Sequence, residues 1–486
     1  MVATPPSRPG HAYLAVDLGG ASCRVVAGWY AATGIELLEV ARFANTPIDR
    51  DGVLCWDGLE LFQAGLRGLH AAVQRCAELG LQVAGIGVDS WGVDYGLIDS
   101  QGVLQAPLRH YRATSATDVV RAEARVPAEQ AYARTGIEAL PINTVYQLVR
   151  DANLGLLKSD TTMLLTADLW TYWLSGVRGA EVSLASTTGL LDPFTRDWAW
   201  DLVERYGIPS EVLPPVQACG TVAGLTTPAV TEQLGLQAPV PVIRTGAHDT
   251  ASAFAAVDDD EGRSVTISCG TWALAGASVR HPVLTESARL GGFTNEAGAA
   301  GRTLLMRNLS GTWLLEECLR HWSAEGSRGA TTADLRNHLL EQASQRQHGS
   351  GSDECAVIDP GSPEFLEPGN MPARIASAYR QAGGQLDEHD QVGIVTLVID
   401  SLAASFAQTA VGLADLVGIP FTSMTIIGGG ARITLLREQA ANRSGLPVTA
   451  GPVEATCLGN IMIQAVALGA YPTLTQARDA AGLGRD

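Results

Sequence analysis

The sequence predicts an α/β fold built from two lobes, and three observations support this prediction. The chain has 486 residues, which at roughly 150 residues per domain is enough for two or more domains. Hydrophobic residues make up 46% and charged residues 17% of the chain, a balance typical of well-buried globular domains. A strand, a glycine turn and a returning strand, followed by a helix and another strand, occur once in each half.

The first half contains this pattern between residues 13 and 88. Tyr13–Asp17 predicts a strand, the glycine-rich Leu18–Arg24 a turn, and Val25–Tyr30 the returning strand. Apolar residues at helical spacing predict a helix over Leu59–Leu79, and Val83–Val88 predicts the next strand. This order predicts a mixed sheet covered by helices.

The second half repeats the plan with little residue identity. Ser264–Ser268 and Trp272–Gly276 predict two strands around a glycine turn. Ser401–Val417 predicts a helix, and Met424–Ile427 predicts a strand that ends at Gly428–Gly430. The two halves therefore look like two versions of one supersecondary plan.

The boundary between the lobes is predicted at the charged turn Asp258–Gly262. We expect lobes of residues 1–257 and 258–486, with an interlobe cleft that has Asp249 near its floor. Glycine, proline and charged residues predict loops over Gly349–Asn370 and Gly383–Asp390.

Charge and cysteine usage exclude several classes of protein. The net charge of −18 argues against a duplex nucleic-acid binder, because such proteins neutralise phosphates with clustered Lys and Arg. The eight cysteines form no Cys-x-x-Cys pair, so neither a zinc site nor a disulfide framework is expected. The tail Met1–Gly10 lacks an apolar secretory core, and no uninterrupted apolar run approaches ~18 residues. We expect a cytoplasmic protein without membrane or nucleic-acid partners.

Asp249 stands where strand-like sequence changes to helix-like sequence. Pro239–Ile243 is apolar and β-branched, and the alanine-rich Thr250–Val257 favours helix. In α/β folds such corners, at the carboxyl ends of strands, form the crevice where ligands bind. Asp249 is therefore a candidate base, and the alternative is a helix N-cap, a position that Asp often occupies.

Three glycine turns follow predicted strands: Gly19–Ser22, Gly270–Thr271 and Gly428–Gly430. Backbone N–H groups in such turns can hold phosphate without a lysine. The chain contains no Gly-x-x-x-x-Gly-Lys-[Ser/Thr] motif, and no Gly-x-Gly-x-x-Gly follows the first strand. Most glycine turns merely connect strands, but three at corresponding positions predict a phosphate site.

Two charged residues flank the first of these turns. Asp17 ends the first strand, where a carboxylate can hold hydrated Mg²⁺ against nucleotide phosphates. The alternative is that Asp17 accepts hydrogen bonds from the turn. Arg24 can reach phosphate oxygens, and its alternative is an exposed strand position.

The run Gly87–Gly96 combines Asp89 and Asp94 with Trp91 and three glycines. Polyols are commonly bound by such mixtures, in which carboxylates accept from hydroxyls and an aromatic face covers the C–H side. The alternative is that Trp91 and Tyr95 are core residues. Further on, Asn308–Leu315 predicts the start of a helix, with Asn308 and Ser310 as candidate caps.

Taken together, these segments resemble the FGGY family of carbohydrate kinases along nearly the whole chain, and within it the members that act on L-rhamnulose. Ala247-His-Asp-Thr-Ala-Ser252 and Leu140-Pro-Ile-Asn-Thr-Val-Tyr-Gln147 are the specific segments, whereas the glycine turns fit any actin-like ATPase. The other matching segments are Val16–Gly19 with Arg24, Gly87–Asp94, Arg134–Ile137, Gly270–Trp272, Asn308 with Gly311 and Trp313, Gly428–Gly430, Ala450–Ala455 and Leu458–Asn460.

The resemblance implies two ribonuclease-H-like (actin-like ATPase) lobes that close over ATP and a ketose, as a monomer or homodimer. Asp249 matches the family's base, and an aspartate with an ordinary pKa of about 3.9 is already ionised at neutral pH. Asp17 matches the acid that organises Mg²⁺ through water. The implied sugar contacts are Gly92, His248, Asp249, Thr250 and Asn308, with Trp91 and Asp89 from the polyol-type run. The implied ATP contacts are Gly20, Ala21, Ser22, Cys23, Arg24, Thr271, Glu316 and Gly430.

Three segments depart from the family's pattern, all on the nucleotide side. Glu316 stands where Gln is usual, Ala431–Thr434 replaces a Ser-Gln-Asn sequence, and the first loop reads Gly-Ala-Ser-Cys. The implied reaction is phosphorylation of a deoxyketose at its primary hydroxyl, with L-rhamnulose as the first substrate. The alternatives are a kinase for L-fuculose or L-xylulose, a non-catalytic sugar- or nucleotide-sensing protein, and an actin-like ATPase with protein partners.

Overall fold

The computed structural model describes residues 10–257, 261–326, 331–349 and 356–483. Two compact units are distinguished by their internal contacts. Of the described residues, unit 1 contains those up to Val257, Ser278–Leu305 and those from Glu454, and unit 2 contains the rest. Residues 1–9 of the predicted tail and Asp258–Asp260 of the predicted boundary lie outside the described residues, and the division into lobes at that point stays a prediction.

The main sheet of unit 1 positions the candidate residues. Its strands run in the spatial order Thr221–Leu225, Pro241–Arg244, Gln82–Ser90, His11–Leu18, Ser22–Ala31 and Gly34–Ala44. The strand His11–Leu18 pairs antiparallel with Ser22–Ala31, as predicted, and parallel with Gln82–Ser90. Because parallel strands end at the same edge of a sheet, their terminal side chains meet there.

Two helices on this sheet are fixed by packing. Gly58–Glu78 covers it with a buried stripe and begins at Asp57, whose side chain accepts from the Glu60 N–H. Ala455–Ala467 packs on Asp249–Val257, the helix predicted to follow the strand Pro241–Arg244. A Cβ at Gly459 would lie 1.7 Å from the Ser252 carbonyl oxygen. Glycine is therefore required where these two helix backbones approach each other.

The remaining elements of unit 1 surround the sheet. The shorter strands are Ile48–Arg50, Val53–Trp56, Tyr95–Ile98, Leu108–Arg109, Thr162–Leu165, Ala180–Glu181, Leu191–Asp192, Asp197–Trp198, Val216–Gln217 and Phe293–Ala297. The remaining helices are Ala116–Glu123, Ala128–Thr135, Thr144–Asn153, Thr166–Ser175, Val182–Ser186, Trp200–Arg205, Pro228–Leu234, Glu286–Leu290 and Leu474–Ala481.

Unit 2 contains the predicted second strand–turn–strand. Ser264–Cys269 pairs antiparallel with Trp272–Val279 and parallel with Ser423–Ile427, which pairs with Val448–Ala450. Most of the strand Thr303–Ser310 also lies in this unit. The helices of unit 2 are Trp313–Gly326, Thr332–Gly349, Met371–Gln381, Gln391–Val417 and Thr434–Ser444.

The helix predicted at Ser401 is longer and more apolar than expected. It runs over Gln391–Val417 and begins where the Asp390 side chain accepts from the Gly393 N–H at 2.9 Å. By length and composition this helix could cross a membrane, but 72% of its most apolar window is buried within the protein. It is therefore used as a core helix.

The prediction that Asn308 and Ser310 cap a helix is wrong. Both residues lie in the strand Thr303–Ser310, whose Thr303–Met306 segment is buried, and the helix begins only at Trp313. Gly311 lies between the two elements. Glycine is required there, because a Cβ would lie 2.2 Å from the Gly270 carbonyl oxygen. Thr312 precedes the helix, and its carbonyl accepts from the Glu316 N–H at 2.9 Å.

Candidate active site

Asp17 and Arg24 face each other across the first two strands of unit 1. They are register partners, and Arg24 Nη2 lies 2.6 Å from Asp17 Oδ2. Arg24 also forms an ion pair with Glu454. Arg24 is therefore not the exposed strand residue of the alternative interpretation.

Asp17 uses one of its two carboxylate oxygens for these contacts. Oδ2 accepts from Arg24 Nε at 2.8 Å and lies 3.6 Å from the Cys457 thiol. Oδ1 has no hydrogen bond to any described residue, so the turn does not hold this carboxylate. The described residues contain no cluster of His, Cys, Asp and Glu able to cage a metal ion. One free carboxylate oxygen suits an ion that keeps its water and relies on substrate phosphates, as Mg²⁺ does.

The first glycine turn presents backbone to solvent. Gly20 and Ala21 are exposed, Ser22 is half-buried, and the Gly19 N–H donates to the Ser22 carbonyl at 3.2 Å. Cys23 points the other way and is fully buried. Burial and the Asp17 charge raise the pKa of the Cys23 thiol to about 12. Cys23 can therefore contribute only its backbone to a ligand.

Asp249 is the first residue of its helix, and His248 occupies the position before it. The His248 carbonyl accepts from the Ser252 N–H at 3.2 Å, so the cap alternative does not describe the Asp249 carboxylate. Its side chain keeps 33% of its surface exposed. Oδ1 accepts a hydrogen bond from Thr250 Oγ1 at 3.1 Å, and Thr250 itself is buried.

His248 is held between two carboxylates. Its Nδ1 lies 2.8 Å from Glu296 Oε2, and its Nε2 lies 3.4 Å from Asp249 Oδ1. Burial by itself lowers the pKa of His248. The negative charges of Glu296 and then Asp249 outweigh this effect and raise the pKa to about 9. His248 is therefore an imidazolium at neutral pH, and it presents a positive charge to Asp249.

The pKa of Asp249 is not the ordinary one expected from the sequence. Burial raises it, the His248 charge lowers it, and the negative charge of Asp17 raises it again. The net direction is upward, which makes this carboxylate a stronger base than an exposed aspartate. A general base gains from a pKa moved toward the working pH.

Two side chains hold the backbone of the Ala247–His248 segment. The buried Glu181 accepts from the Ala247 N–H at 3.2 Å and from the Ser183 hydroxyl, whose oxygen accepts from the His248 N–H at 3.1 Å. Burial raises the pKa of Glu181 to about 7. A further contact is a parallel bridge between Ser90 and His248. The corner that carries Asp249 is therefore positioned by buried polar groups.

The polyol-type run forms a strained turn. Val93 has φ of +70°, a rare conformation for a β-branched residue. Its carbonyl accepts from Thr144 Oγ1 at 2.7 Å and from Gln147 Nε2 at 3.3 Å. Gly92 leaves little room, because a Cβ there would lie 3.1 Å from the Thr187 side chain. The segment Leu140–Gln147, which is specific to the family, thus donates hydrogen bonds to the turn that contains Gly92.

The aromatic residues of this run are packed. The indole N–H groups of Trp91 and Trp56 both donate to Asp94 Oδ2, at 2.9 Å and 2.6 Å. Tyr95 donates to Asp151 at 2.6 Å. All are buried, as the packing alternative for Trp91 and Tyr95 predicts, and burial raises the pKa of Asp94 to about 7.

Asp89 lies beneath the cluster rather than at its surface. It is register partner to Asp17, is fully buried, and accepts from Asn460 Nδ2. Its other oxygen has no hydrogen-bond partner among the described residues. Burial, followed by the charge of Asp17, raises its pKa. A sugar hydroxyl cannot reach this carboxyl group without a rearrangement.

Unit 2 carries the other predicted nucleotide residues. Thr271 is exposed after its strand, and its Oγ1 donates to Glu316 Oε2 at 3.2 Å, while Thr312 donates to Oε1 at 2.6 Å. Gly430 is buried against Cys269, whose Sγ would lie 2.5 Å from a Cβ. The Glu316 that departs from the family's pattern thus links Thr271, in the turn after the strand Ser264–Cys269, to Thr312 at the start of its own helix.

Asn308 lines a cavity of about 810 Å³ in unit 2. Trp272, Asp359 and Ser405 also line it. Of the predicted residues, the structure brings Asp17, Arg24, Asp89, His248, Asp249 and Thr250 together in unit 1, and Thr271 with Glu316 in unit 2. The turn at Gly92 adjoins the unit 1 group, because the Ser90 N–H donates to the Ala247 carbonyl at 2.8 Å and the Trp91 N–H to the Leu18 carbonyl at 3.2 Å.

Sequence reasoning missed the residues that position this cluster, above all Glu296, Glu181 and Glu454. Each is far along the chain from its partner, and only Glu454 lies in a segment that matched the family. A signal for Glu296 existed in Asn295-Glu-Ala297, an acid inside a short strand-like segment, but nothing in the sequence connects it to His248.

Comparisons with known proteins identify the family of the chain. The N-terminal domain of the FGGY family of carbohydrate kinases matches residues 12–256, and the C-terminal domain of that family matches residues 265–468. A rhamnulokinase of Oceanobacillus iheyensis is 32% identical over 469 residues, 96% of this chain and 95% of that protein. A rhamnulokinase of Bacteroides thetaiotaomicron is 33% identical over 478 residues, 97% of this chain and 92% of that protein.

Solved structures support the fold. A xylulose kinase from Rhodospirillum rubrum has a TM-score of 0.78 at 17% identity, covering 97% of this chain and 92% of its own. A gluconate kinase from Lactobacillus acidophilus has a TM-score of 0.77 at 17% identity, with the same coverage. With both family domains matched and relatives above 30% identity along nearly the whole chain, this protein belongs to the FGGY family of carbohydrate kinases and is a sugar kinase of mixed α/β, actin-like fold.

Proposed function

We propose that this sugar kinase transfers the γ-phosphoryl group of ATP to the primary hydroxyl of a deoxyketose, converting L-rhamnulose to L-rhamnulose 1-phosphate. The observation that carries the proposal is the Asp249 carboxylate beside the His248 imidazolium, 3.4 Å apart and part-exposed on unit 1. The choice of ketose rests on the relatives named rhamnulokinase at 32–33% identity.

In the proposed reaction Asp249 acts as the general base. Its carboxylate takes the proton of the primary hydroxyl while that oxygen bonds to the γ-phosphorus of ATP. The bond from the γ-phosphorus to the bridging oxygen breaks, and ADP leaves with the electron pair. His248 lies within reach of the same carboxylate, so it can orient Asp249 and donate to a second ketose hydroxyl.

Phosphate binding is assigned to groups in both units. In unit 1 these are the exposed backbone of Gly20–Ser22 and the Arg24 guanidinium, and in unit 2 they are Thr271 and Gly430. Phosphoryl transfer is accelerated chiefly by alignment and charge neutralisation. Mg²⁺, held through water at the free oxygen of Asp17, would supply neutralisation of the nucleotide phosphates. Arg24, paired with Asp17 and Glu454, places a positive charge beside the same carboxylate.

The ketose side is assigned to Gly92, His248, Thr250 and Asn308, with Trp91 and Asp89 behind them. In this division residues 1–257 carry the base, most of the ketose contacts and the first phosphate loop, and residues 258–486 carry Asn308 and the remaining nucleotide contacts. We place the reaction in the cytoplasm, in keeping with the seven described cysteines, all of them free thiols.

The test is ADP release measured over a panel of ketoses, namely L-rhamnulose, L-fuculose and L-xylulose. We expect the largest kcat/KM with L-rhamnulose, and a loss of roughly 10²–10⁴-fold in kcat for Asp249→Asn, the usual contribution of a general base. A panel in which no ketose stimulates ADP release rejects the kinase reaction with these sugars. If the Asp249→Asn variant keeps wild-type kcat, Asp249 is not the base.

A further inference from the structure

A second cavity of unit 1 has no part in the proposed reaction. It has a volume of about 140 Å³ and lies between the strand Tyr95–Ile98, the segment Gln105–Arg109 and the helix Thr144–Asn153. Leu156, Lys158 and Thr161 complete its wall. None of the residues assigned to the base, the nucleotide or the ketose lines it.

Positive charge dominates this cavity. Arg109, Arg150 and Lys158 line it, and Asp151 is the single carboxylate on its wall. Both oxygens of Asp151 are already used, since Oδ1 accepts from Arg150 Nε at 2.9 Å and Oδ2 accepts from the Tyr95 hydroxyl at 2.6 Å. The cations on the wall therefore outnumber the carboxylates by two, in a chain whose net charge is −18. Lys158 is also the only lysine in the 486-residue sequence.

Arg150 shows what the cavity lacks. The residue is 6% exposed, and both of its Nη atoms are buried without a hydrogen-bond partner among the described residues. A buried guanidinium with unmet donors is unfavourable, because it has lost its hydration without gaining acceptors. Arg109, on the opposite wall, forms no ion pair with a described residue. Two guanidinium groups and an ammonium therefore share a pocket whose wall carries one carboxylate, Asp151.

From this arrangement we propose that the cavity binds a phosphate group, either as the free ion or as a small monoester. Arginine recognises phosphate through paired N–H donors, and lysine adds a point charge. The cavity volume of about 140 Å³ equals the share of roughly five water molecules in the liquid. That space is sufficient for a phosphate group.

The site is separate from the ketose turn although the two share one helix. Gln147 lines the cavity, but its Nε2 donates to the Val93 carbonyl at 3.3 Å and to Asp94 at 3.4 Å. Its donors are therefore directed to the turn, and the phosphate ligands are Arg109, Arg150 and Lys158.

The single lysine makes the site testable at one atom. The protein is treated with a limiting amine-acetylating reagent, and acetylation of Lys158 is followed by peptide mass mapping with the α-amino group as an internal control. Inorganic phosphate at about ten times its Kd should slow Lys158 acetylation roughly tenfold, since only the unliganded fraction reacts. Potassium chloride at equal ionic strength should not. A parallel series with glycerol 2-phosphate distinguishes the free ion from a monoester, and protection by either supports the site.

Two variants decide whether the protection arises in this cavity. Arg150→Gln should abolish the protection. If that variant does not fold, Arg109→Gln is used instead. It removes a half-buried side chain without a hydrogen-bond partner among the described residues, and it should weaken the protection. Phosphate bound by the nucleotide loops would protect Lys158 in neither the wild type nor the variants. The proposal is overturned if neither phosphate nor glycerol 2-phosphate slows acetylation, if protection persists in a folded Arg150→Gln variant, or if protection is undiminished in a folded Arg109→Gln variant.

Discussion

Glu296 Oε2 lies 2.8 Å from His248 Nδ1, on the side of the ring opposite Asp249. This contact is what keeps the pKa of His248 at about 9 despite burial, which acts to lower it. The imidazolium in turn lowers the pKa of Asp249 against the effect of burial. Glu296, which is not adjacent to the reacting groups in the sequence, therefore sets the charge state of both.

Replacing Glu296 should narrow the pH range of activity. The active form requires ionised Asp249, which is lost as pH falls through its pKa, and protonated His248, which is lost as pH rises through about 9. In Glu296→Gln the pKa of His248 falls, so the alkaline limb of kcat moves to lower pH. Because Asp249 then loses a positive neighbour, its pKa rises and the acid limb moves to higher pH.

The measurement is a kcat–pH profile of both proteins with saturating ketose and ATP. Glu60→Gln is the matched control, because Glu60 is exposed and its ion pair with Arg67 is far from any assigned residue in the sequence. Its profile should follow the wild type. An unchanged alkaline limb in Glu296→Gln would show that His248 titration does not govern kcat.

Arg24 should matter to ATP far more than its partner Glu454 does. Arg24→Gln removes the positive charge near Asp17, so we expect a higher KM for ATP and a kcat lower by roughly a hundredfold, as for other donors to a transition-state charge. Glu454→Gln keeps the Arg24–Asp17 pair and should change kcat little. Steady-state kinetics with varied ATP separates the two variants. Equal losses would mean that the three-residue network acts only as a structural unit.

The site was predictable where it is local in sequence and not where it depends on distant partners. Asp17 and Arg24 lie in the first two strands of the chain, and Asp249 follows the strand Pro241–Arg244. The patterns of these strands are visible in the sequence, and the structure confirms the strands. Asn308 was placed on a helix because Asn and Ser suit caps, whereas the buried run Thr303–Met306 continues a strand into it. The pKa of Asp249 could not be predicted, since it depends on burial and on His248, whose own charge comes from Glu296.

Asn308 should affect the ketose more than the nucleotide. Asn308→Ala removes an amide that lines the unit 2 cavity, and losing a hydrogen bond to a ligand of about 1.4 kcal/mol corresponds to a KM roughly tenfold higher. We expect that rise for the ketose and a much smaller one for ATP. Ser405→Ala, on the same cavity wall, should leave both KM values near wild type. The opposite order for Asn308→Ala would assign the residue to the nucleotide.

Gly459 links the stability of unit 1 to the position of the base. In Gly459→Ala the new Cβ would lie 1.7 Å from the Ser252 carbonyl oxygen and 2.6 Å from its carbon, so the helices Ala455–Ala467 and Asp249–Val257 must separate. Overpacking of this kind costs about 1–3 kcal/mol or more, and Tm should fall. Asp249 begins the displaced helix, and a misplacement of about 1 Å can cost roughly a hundredfold in rate.

Thermal unfolding and kcat are therefore expected to fall together in Gly459→Ala. Gly20→Ala is the control for Tm, because its φ is not left-handed and a Cβ there meets nothing within 4 Å. A variant that loses Tm but keeps kcat would show that the helix restores Asp249 despite the strain. In that case the backbone contacts of Ala247 and His248 with Glu181 and Ser183, rather than the helix packing, fix the base.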